Sequence, residues 1–174
     1  MIRILALMLL PVAAHAQVAQ GPANAGFAPA FAEQTRAPSL PSSDIAVSVF
    51  AEGLDSPWGI ARLGRGQFLV TEKGGNLRLI DTDGRVSRPL AGLPDVADQG
   101  QGGLLDVAVS PNFASDRTIF RTYAKPVRGG VVTAAARGTL TVDGRLIDLS
   151  DIFVQSDPVR GGRHFGSRII PMPD

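Results

Sequence analysis

Trp58-Gly59-Ile60-Ala61, running on to Gly66-Gln67-Phe68-Leu69-Val70, is the stretch that decides the fold. Its pattern returns at Leu105-Asp106-Val107-Ala108 with Thr118-Ile119-Phe120. The two copies begin roughly 47 positions apart, close to the length of one four-stranded propeller blade. Gly166 to Asp174 begins a third copy. Around these copies, short β-rich runs alternate with turn signals. Ile45 to Phe50 reads as a strand with Val47 and Val49 on one face. Gly59 to Leu63 and Gln67 to Glu72 flank Gly64-Arg65-Gly66, a hairpin signal. Asn76 to Asp81 follows Gly74-Gly75, and Asp83-Gly84 turns the chain into Arg85 to Leu90. Then come Leu104 to Val109, Thr118 to Tyr123, Val131 to Leu140, Leu146 to Val154 and His164 to Ile170. No stretch after the N-terminal apolar run carries a helical period. Val131 to Arg137 has the alanines for a helix, but the β-branched residues at its start favour a strand.

The expected fold is therefore all-β, a β-propeller. The competing architecture is a β-sandwich with similarly spaced strands. Asp44 to Asp174 holds fewer than three blades at about 45–50 residues each, whereas propellers close with four to eight. An incomplete portion of two to three blades is expected, truncated at Pro173-Asp174 and leaving strand edges unsealed.

The first residues have the layout of an export signal. Arg3 supplies the positive charge, Ile4 to Leu10 the apolar run, and Ala14-His15-Ala16 a small-x-small cleavage site before Gln17. Residues 1–16 are expected to be a signal peptide cleaved after Ala16, giving a periplasmic or secreted protein. Residues 17–43, rich in Ala, Pro, Gln and Ser, are expected to be a flexible segment, and residues 44–174 the partial propeller domain. The apolar run falls far short of the ~20 residues a spanning helix needs, so no membrane span is expected. The chain has no cysteine, which excludes disulfides. Its 17 Lys+Arg and 16 Asp+Glu give a net charge of +1. Without a basic face, nucleic acid is not an expected partner.

Two glycine-rich motifs stand out as a site. Gly100-Gln101-Gly102-Gly103-Leu104-Leu105-Asp106 and Gly162-Arg163-His164-Phe165-Gly166-Ser167-Arg168 each set a polar side chain among glycines beside an expected strand. Glycines admit a close approach of backbone or ligand. The chain has two histidines, and His15 lies in the expected signal peptide. Chemistry needing an imidazole near neutral pH would then use His164. Taken alone, His164 beside Arg163 and Phe165 reads as structural more readily than catalytic, and Gln101 reads as a turn residue capping a backbone amide. Asp106 is expected to satisfy turn amides and Arg168 to be an ion-pair partner, while a lone Trp58 reads as core.

With both motifs in place, the chain resembles the soluble quinoprotein glucose/sorbosone dehydrogenases, including the aldose sugar dehydrogenases. The resemblance is carried by Gly53-Leu54-Asp55-Ser56-Pro57-Trp58-Gly59, Leu69 to Leu79, Gly100 to Pro111 and His164 to Arg168. Gln34-Thr35-Arg36-Ala37-Pro38 resembles the N-terminal segment of the same family. The resemblance implies a six-bladed propeller that binds pyrroloquinoline quinone (PQQ) and Ca²⁺. It implies oxidation of the anomeric carbon of an aldose sugar to a lactone, with electrons passed to an external acceptor. It further implies that His164 is the general base and that Gln101 is a hydrogen-bonding residue at the cofactor. No metal-binding residue is assigned, because the family's calcium ligands and most of its quinone-binding cations lie downstream of Asp174. Association with a separate C-terminal portion would supply them. The alternatives are a non-enzymatic propeller fragment or binding module and, ranked below both, a lactonase-like six-bladed hydrolase. That hydrolase needs a carboxylate-bound divalent metal, which Gln101 and His164 do not supply.

Overall fold

The structure is a computed structural model that describes residues 45–172. The expected signal peptide, the segment 17–43 and the ends Pro173 and Asp174 lie outside the described residues. All but the first three described residues belong to one compact unit that begins at Ser48.

Among the described residues, seven strands form two antiparallel meanders. The first sheet takes β1 (Pro57–Gly64), β2 (Gln67–Glu72) and β3 (Leu77–Ile80) in sequential order. The second takes β4 (Leu104–Val109), β5 (Thr118–Val127), β6 (Gly130–Leu140) and β7 (Leu146–Val154), also in order. The internal repeat is visible in this arrangement. Each copy supplies the first two strands of its sheet, with Ile60 opposite Val70 in one and Ala108 opposite Phe120 in the other. The hairpin at Gly64-Arg65-Gly66 holds all three residues at positive φ, which explains its glycines. Val131 to Arg137 is strand, as its β-branched residues predict.

One core lies between the sheets. Leu69 and Leu77 of the first meet Leu104, Ile119, Tyr123 and Leu146 of the second, all buried. Burial of each leucine stabilises the fold by about 1.5–3 kcal/mol. A threonine closes the seam. Thr71 Oγ1 accepts the Gly59 N–H at 2.8 Å and donates to the Leu105 carbonyl at 2.6 Å, joining the sheets through one hydroxyl. A Cβ on Gly59 would meet that carbonyl oxygen at 2.9 Å, so the approach requires glycine.

Four expectations are corrected. Ile45 to Phe50 is exposed and forms no strand; β-rich composition without a partner ladder does not hold an extended segment. Arg85 to Leu90 runs beside β3 without becoming a strand. The Ser87 and Leu90 N–H groups reach the carbonyls of Leu79 and Leu77, but the Leu79 N–H goes to the Ser87 hydroxyl and Pro89 has no donor. His164 to Ile170 is irregular, because side chains replace its ladder. Trp58, read as core, is 51% exposed on β1. A single helical turn, α1 (Phe113–Asp116), is too short to leave a period in the sequence.

Two of the buried charges, Glu72 and Arg121, differ in how they are satisfied. Glu72, on the strand beside the seam, accepts hydrogen bonds from the Asp55 N–H, the Asn76 amide and Arg78, the last at 3.0 Å. Burial alone would raise its carboxyl pKa; the Asp55 N–H, Asn76 and Arg78 outweigh that and hold it below the ordinary value. Arg121 on β5 is also buried. Its guanidinium lies 4.3 Å from the Tyr123 ring centroid, and its Nε and Nη1 have no hydrogen-bond partner among the described residues. Burial pulls the Arg121 pKa down, and the Tyr123 hydroxyl is already committed to Asp151 at 2.6 Å.

These contrasts give opposite expectations. Glu72→Ala strands Arg78 and should lower the unfolding free energy by about 3 kcal/mol in urea titrations at pH 7. The folded pKa of Glu72 lies below the unfolded one, so its contribution is present above the unfolded value and is lost as pH falls through the folded value. The difference in urea stability between pH 7 and pH 3 should therefore shrink in Glu72→Gln. Arg121→Leu removes unsatisfied donors at the loss of one cation–π contact. It should raise stability by about 1 kcal/mol in the same assay.

Candidate functional site

The first glycine-rich motif forms the turn that enters β4, and the second follows β7 without regular structure. Far apart in sequence, they meet at two hydrogen bonds through Gln101. The Gln101 N–H donates to the Gly162 carbonyl at 2.8 Å, and the His164 N–H donates to Gln101 Oε1 at 2.8 Å. Because the donor is a backbone N–H, it fixes which end of the amide faces the loop. Gln101 Nε2 has no acceptor among the described residues and is free to donate to a ligand. Gly100 makes the approach possible, since a Cβ there would lie 2.4 Å from the Gly162 oxygen.

His164 is exposed, and its backbone adopts φ 63°, the left-handed region that L-residues avoid at a cost on the order of 1 kcal/mol. The hydrogen bond to Gln101 helps to hold that conformation. Further along the loop, three consecutive residues are tied to the second sheet. The Ser167 carbonyl accepts from Thr122 Oγ1 at 2.5 Å, and the Ile169 N–H donates to Asp106 Oδ2 at 3.0 Å. Arg168 pairs with the same carboxylate at 3.3 Å. Thr122 Oγ1 in turn accepts the Asp106 N–H at 3.0 Å, which joins β4 and β5 to the loop. Asp106 thus satisfies a backbone amide, and Arg168 is its ion-pair partner, as their sequence contexts predict. No sequence motif marks Thr122. Its signal was placement in a β-strand whose partner carries the first motif.

The geometry brings Gln101 and His164 together through the histidine backbone. Beside them lies a small concavity of about 220 Å³, lined in part by Gln99, Arg160, Gly162 and Phe165. Pockets that enclose drug-sized ligands are typically about 300–1,000 Å³, so this concavity is too small to enclose such a molecule. Arg160 and Arg163 are exposed near the loop, whereas Arg168 is partly neutralised by Asp106. Among the described residues no group of three or more His, Asp or Glu side chains is placed to hold a metal ion. None of the described helices is long and apolar enough to cross a membrane.

The chain is similar to known proteins in sequence and in fold. The family model for Glucose / Sorbosone dehydrogenase matches residues 54–174. The chain is 39% identical over 127 residues to the aldose sugar dehydrogenase YliI of Escherichia coli strain K12, covering 71% of this chain and 34% of that protein. Among solved structures, the soluble aldose sugar dehydrogenase of E. coli in its apo-form superimposes with a TM-score of 0.67 at 38% identity, covering 71% of this chain and 36% of that one. The PQQ-bound aldose sugar dehydrogenase of Streptomyces coelicolor gives a TM-score of 0.61 at 30% identity, over 70% of this chain and 36% of that one. The chain spans about a third of the length of these relatives. Its two meanders are blades of the propeller that the resemblance implies, and the sandwich alternative is set aside. By motif, strand order and fold, the chain belongs to the glucose/sorbosone dehydrogenase family.

Proposed function

We propose that the chain contributes the proton-accepting part of a PQQ-dependent aldose dehydrogenase, with His164 as the base and Gln101 beside the cofactor. The observation that carries this reading is the hydrogen bond from the His164 N–H to Gln101. It unites the two motifs that mark the family, and it leaves the imidazole exposed to an incoming ligand.

The residues present fit the cofactor in part. Gln101 Nε2 would donate to an oxygen of the bound quinone, and the exposed Arg160 and Arg163 could face its carboxylates. No acidic cluster for Ca²⁺ accompanies them among the described residues. PQQ, when bound, supplies the two-electron acceptor for the hydride of the sugar's C1. His164 does the protein's share of the chemistry. An imidazole nitrogen takes the proton of the C1 hydroxyl as that carbon becomes the lactone carbonyl, and the proton then passes to water. The sugar's two electrons leave through an external acceptor, and the expected setting is the periplasm or the exterior of the cell.

A second reading concerns the state of the chain. Trp58 and Ile60 on β1, and Ile152, Phe153 and Val154 on β7, are exposed apolar residues on the first and last strands of the described blades. Such surfaces favour a fragment that is inactive alone and completed by a separate C-terminal portion, or one that serves as a non-enzymatic binding module.

The test adds PQQ, Ca²⁺ and glucose and follows reduction of an electron-accepting dye, with the chain alone and with the complementary portion of a relative. Dye reduction should require His164, and His164→Ala should lower kcat by about 10²–10⁴-fold. Full activity in His164→Ala would rule out the base. Absence of dye reduction under both conditions would favour the non-enzymatic reading.

A further inference from the structure

The loop that carries His164 is bridged to β6 at Val159 and has no ladder beyond it, so from Gly162 onward its position depends on a few contacts, made by Gln101 in the turn before β4 and by side chains of the second sheet. Gln101 holds it at Gly162 and His164. Asp106 and Thr122 hold it at Ser167, Arg168 and Ile169. Gln101 is exposed and its contacts can be replaced by water, but Asp106 is only 4% exposed. A buried carboxylate finds few alternative partners, so its tie to the Ile169 N–H is the costlier one to break. Arg168 is 76% exposed on its side chain and screens the same carboxylate from one side.

We infer that Asp106 is a positioning residue for His164: its buried carboxylate, carried on a backbone N–H that Thr122 accepts, anchors the far end of the loop and fixes where the imidazole stands. This rests on the reading of His164 as the proton acceptor. Asp106 touches neither substrate nor cofactor in this account. The residue belongs to the first glycine-rich motif, five positions after Gln101, so one short segment grips the histidine loop at two places. A base displaced by about 1 Å can lose 10²-fold in rate, which makes the anchoring consequential.

The test uses the full chain carrying His15→Asn, so that His164 is its sole imidazole, and ¹⁵N-labelled for NMR. Amide hydrogen exchange is read at Ile169, His164 and Val70, together with the imidazole C2–H resonance of His164. Asp106→Ala should speed exchange at both Ile169 and His164 at least about tenfold. It should also shift the His164 resonance and leave Val70, in β2, protected. Asp106→Asn keeps an oxygen to accept from the Ile169 N–H and should restore most of the protection and the resonance position. Unchanged exchange and resonance at His164 in Asp106→Ala, with Val70 protected, would overturn the inference. So would a failure of Asp106→Asn to rescue them. Should Asp106→Ala expose Val70 to exchange, Asp106→Leu, which fills the same space without an acceptor for the Ile169 N–H, is read by the same criteria. The two readings fail separately. Dye reduction that survives His164→Ala removes the base while the exchange data still report the anchor. A His164 indifferent to Asp106 removes the anchor while the base stands.

Discussion

Everything in the candidate site follows from the close passage of two backbones, Gly100 against the carbonyl of Gly162. No side chain fits between them. With the gap closed, Gln101 reaches two backbone groups of the opposite strand of chain, the Gly162 carbonyl and the His164 N–H. A bulkier residue at position 100 would push the chains apart and leave Gln101 with no one to hold. The glycines are therefore a steric requirement of the contact, and the polar residues among them are what the contact brings together.

The sheets supply the rigidity behind that contact. Thr71 bridges Gly59 and Leu105 across the seam, so β4 stands in fixed relation to the first sheet. The Leu104 N–H donates to the Lys73 carbonyl, and Lys73 Nζ donates to the Asp98 carbonyl at 2.6 Å, which tethers the connection preceding the first motif. Glu72 organises the end of β2 through Asp55, Asn76 and Arg78. The conspicuous family stretch from Leu69 to Leu79 is thus structural. It holds the platform on which the Gln101 turn rests. Arg121 and Tyr123, on β5 of the second sheet, follow a different rule: a buried cation lies against an aromatic face, and its Nε and Nη1 lack acceptors among the described residues.

Much of this was legible in the residues and part of it was not. The β-strands could be read wherever a β-rich run had a neighbour to pair with, as at Gly64-Arg65-Gly66 and along Thr118 to Leu140. They could not be read at Ile45 to Phe50 or His164 to Ile170, where composition resembles a strand but the described residues offer no backbone ladder. The exposed Trp58 shows the same limit: the residue type suggests burial, while its place on β1 decides exposure. For the site, the glycine spacing marked both motifs and the resemblance attached roles to His164 and Gln101. That Gln101 would grip the histidine through its backbone N–H, and that Thr122 would complete the anchor, depends on register between distant strands, which periodicity does not encode.

The claim at the centre is that Gln101 and His164 are in contact through the side-chain amide of one and the backbone amide of the other. Nuclear Overhauser spectroscopy on the ¹⁵N-labelled chain addresses it directly. The account predicts cross-peaks between the His164 amide hydrogen and the Gln101 side-chain γ protons, and between the Gln101 amide hydrogen and the Gly162 α protons. Spectra that show an ordered β2–β5 platform but lack both sets of cross-peaks would contradict it.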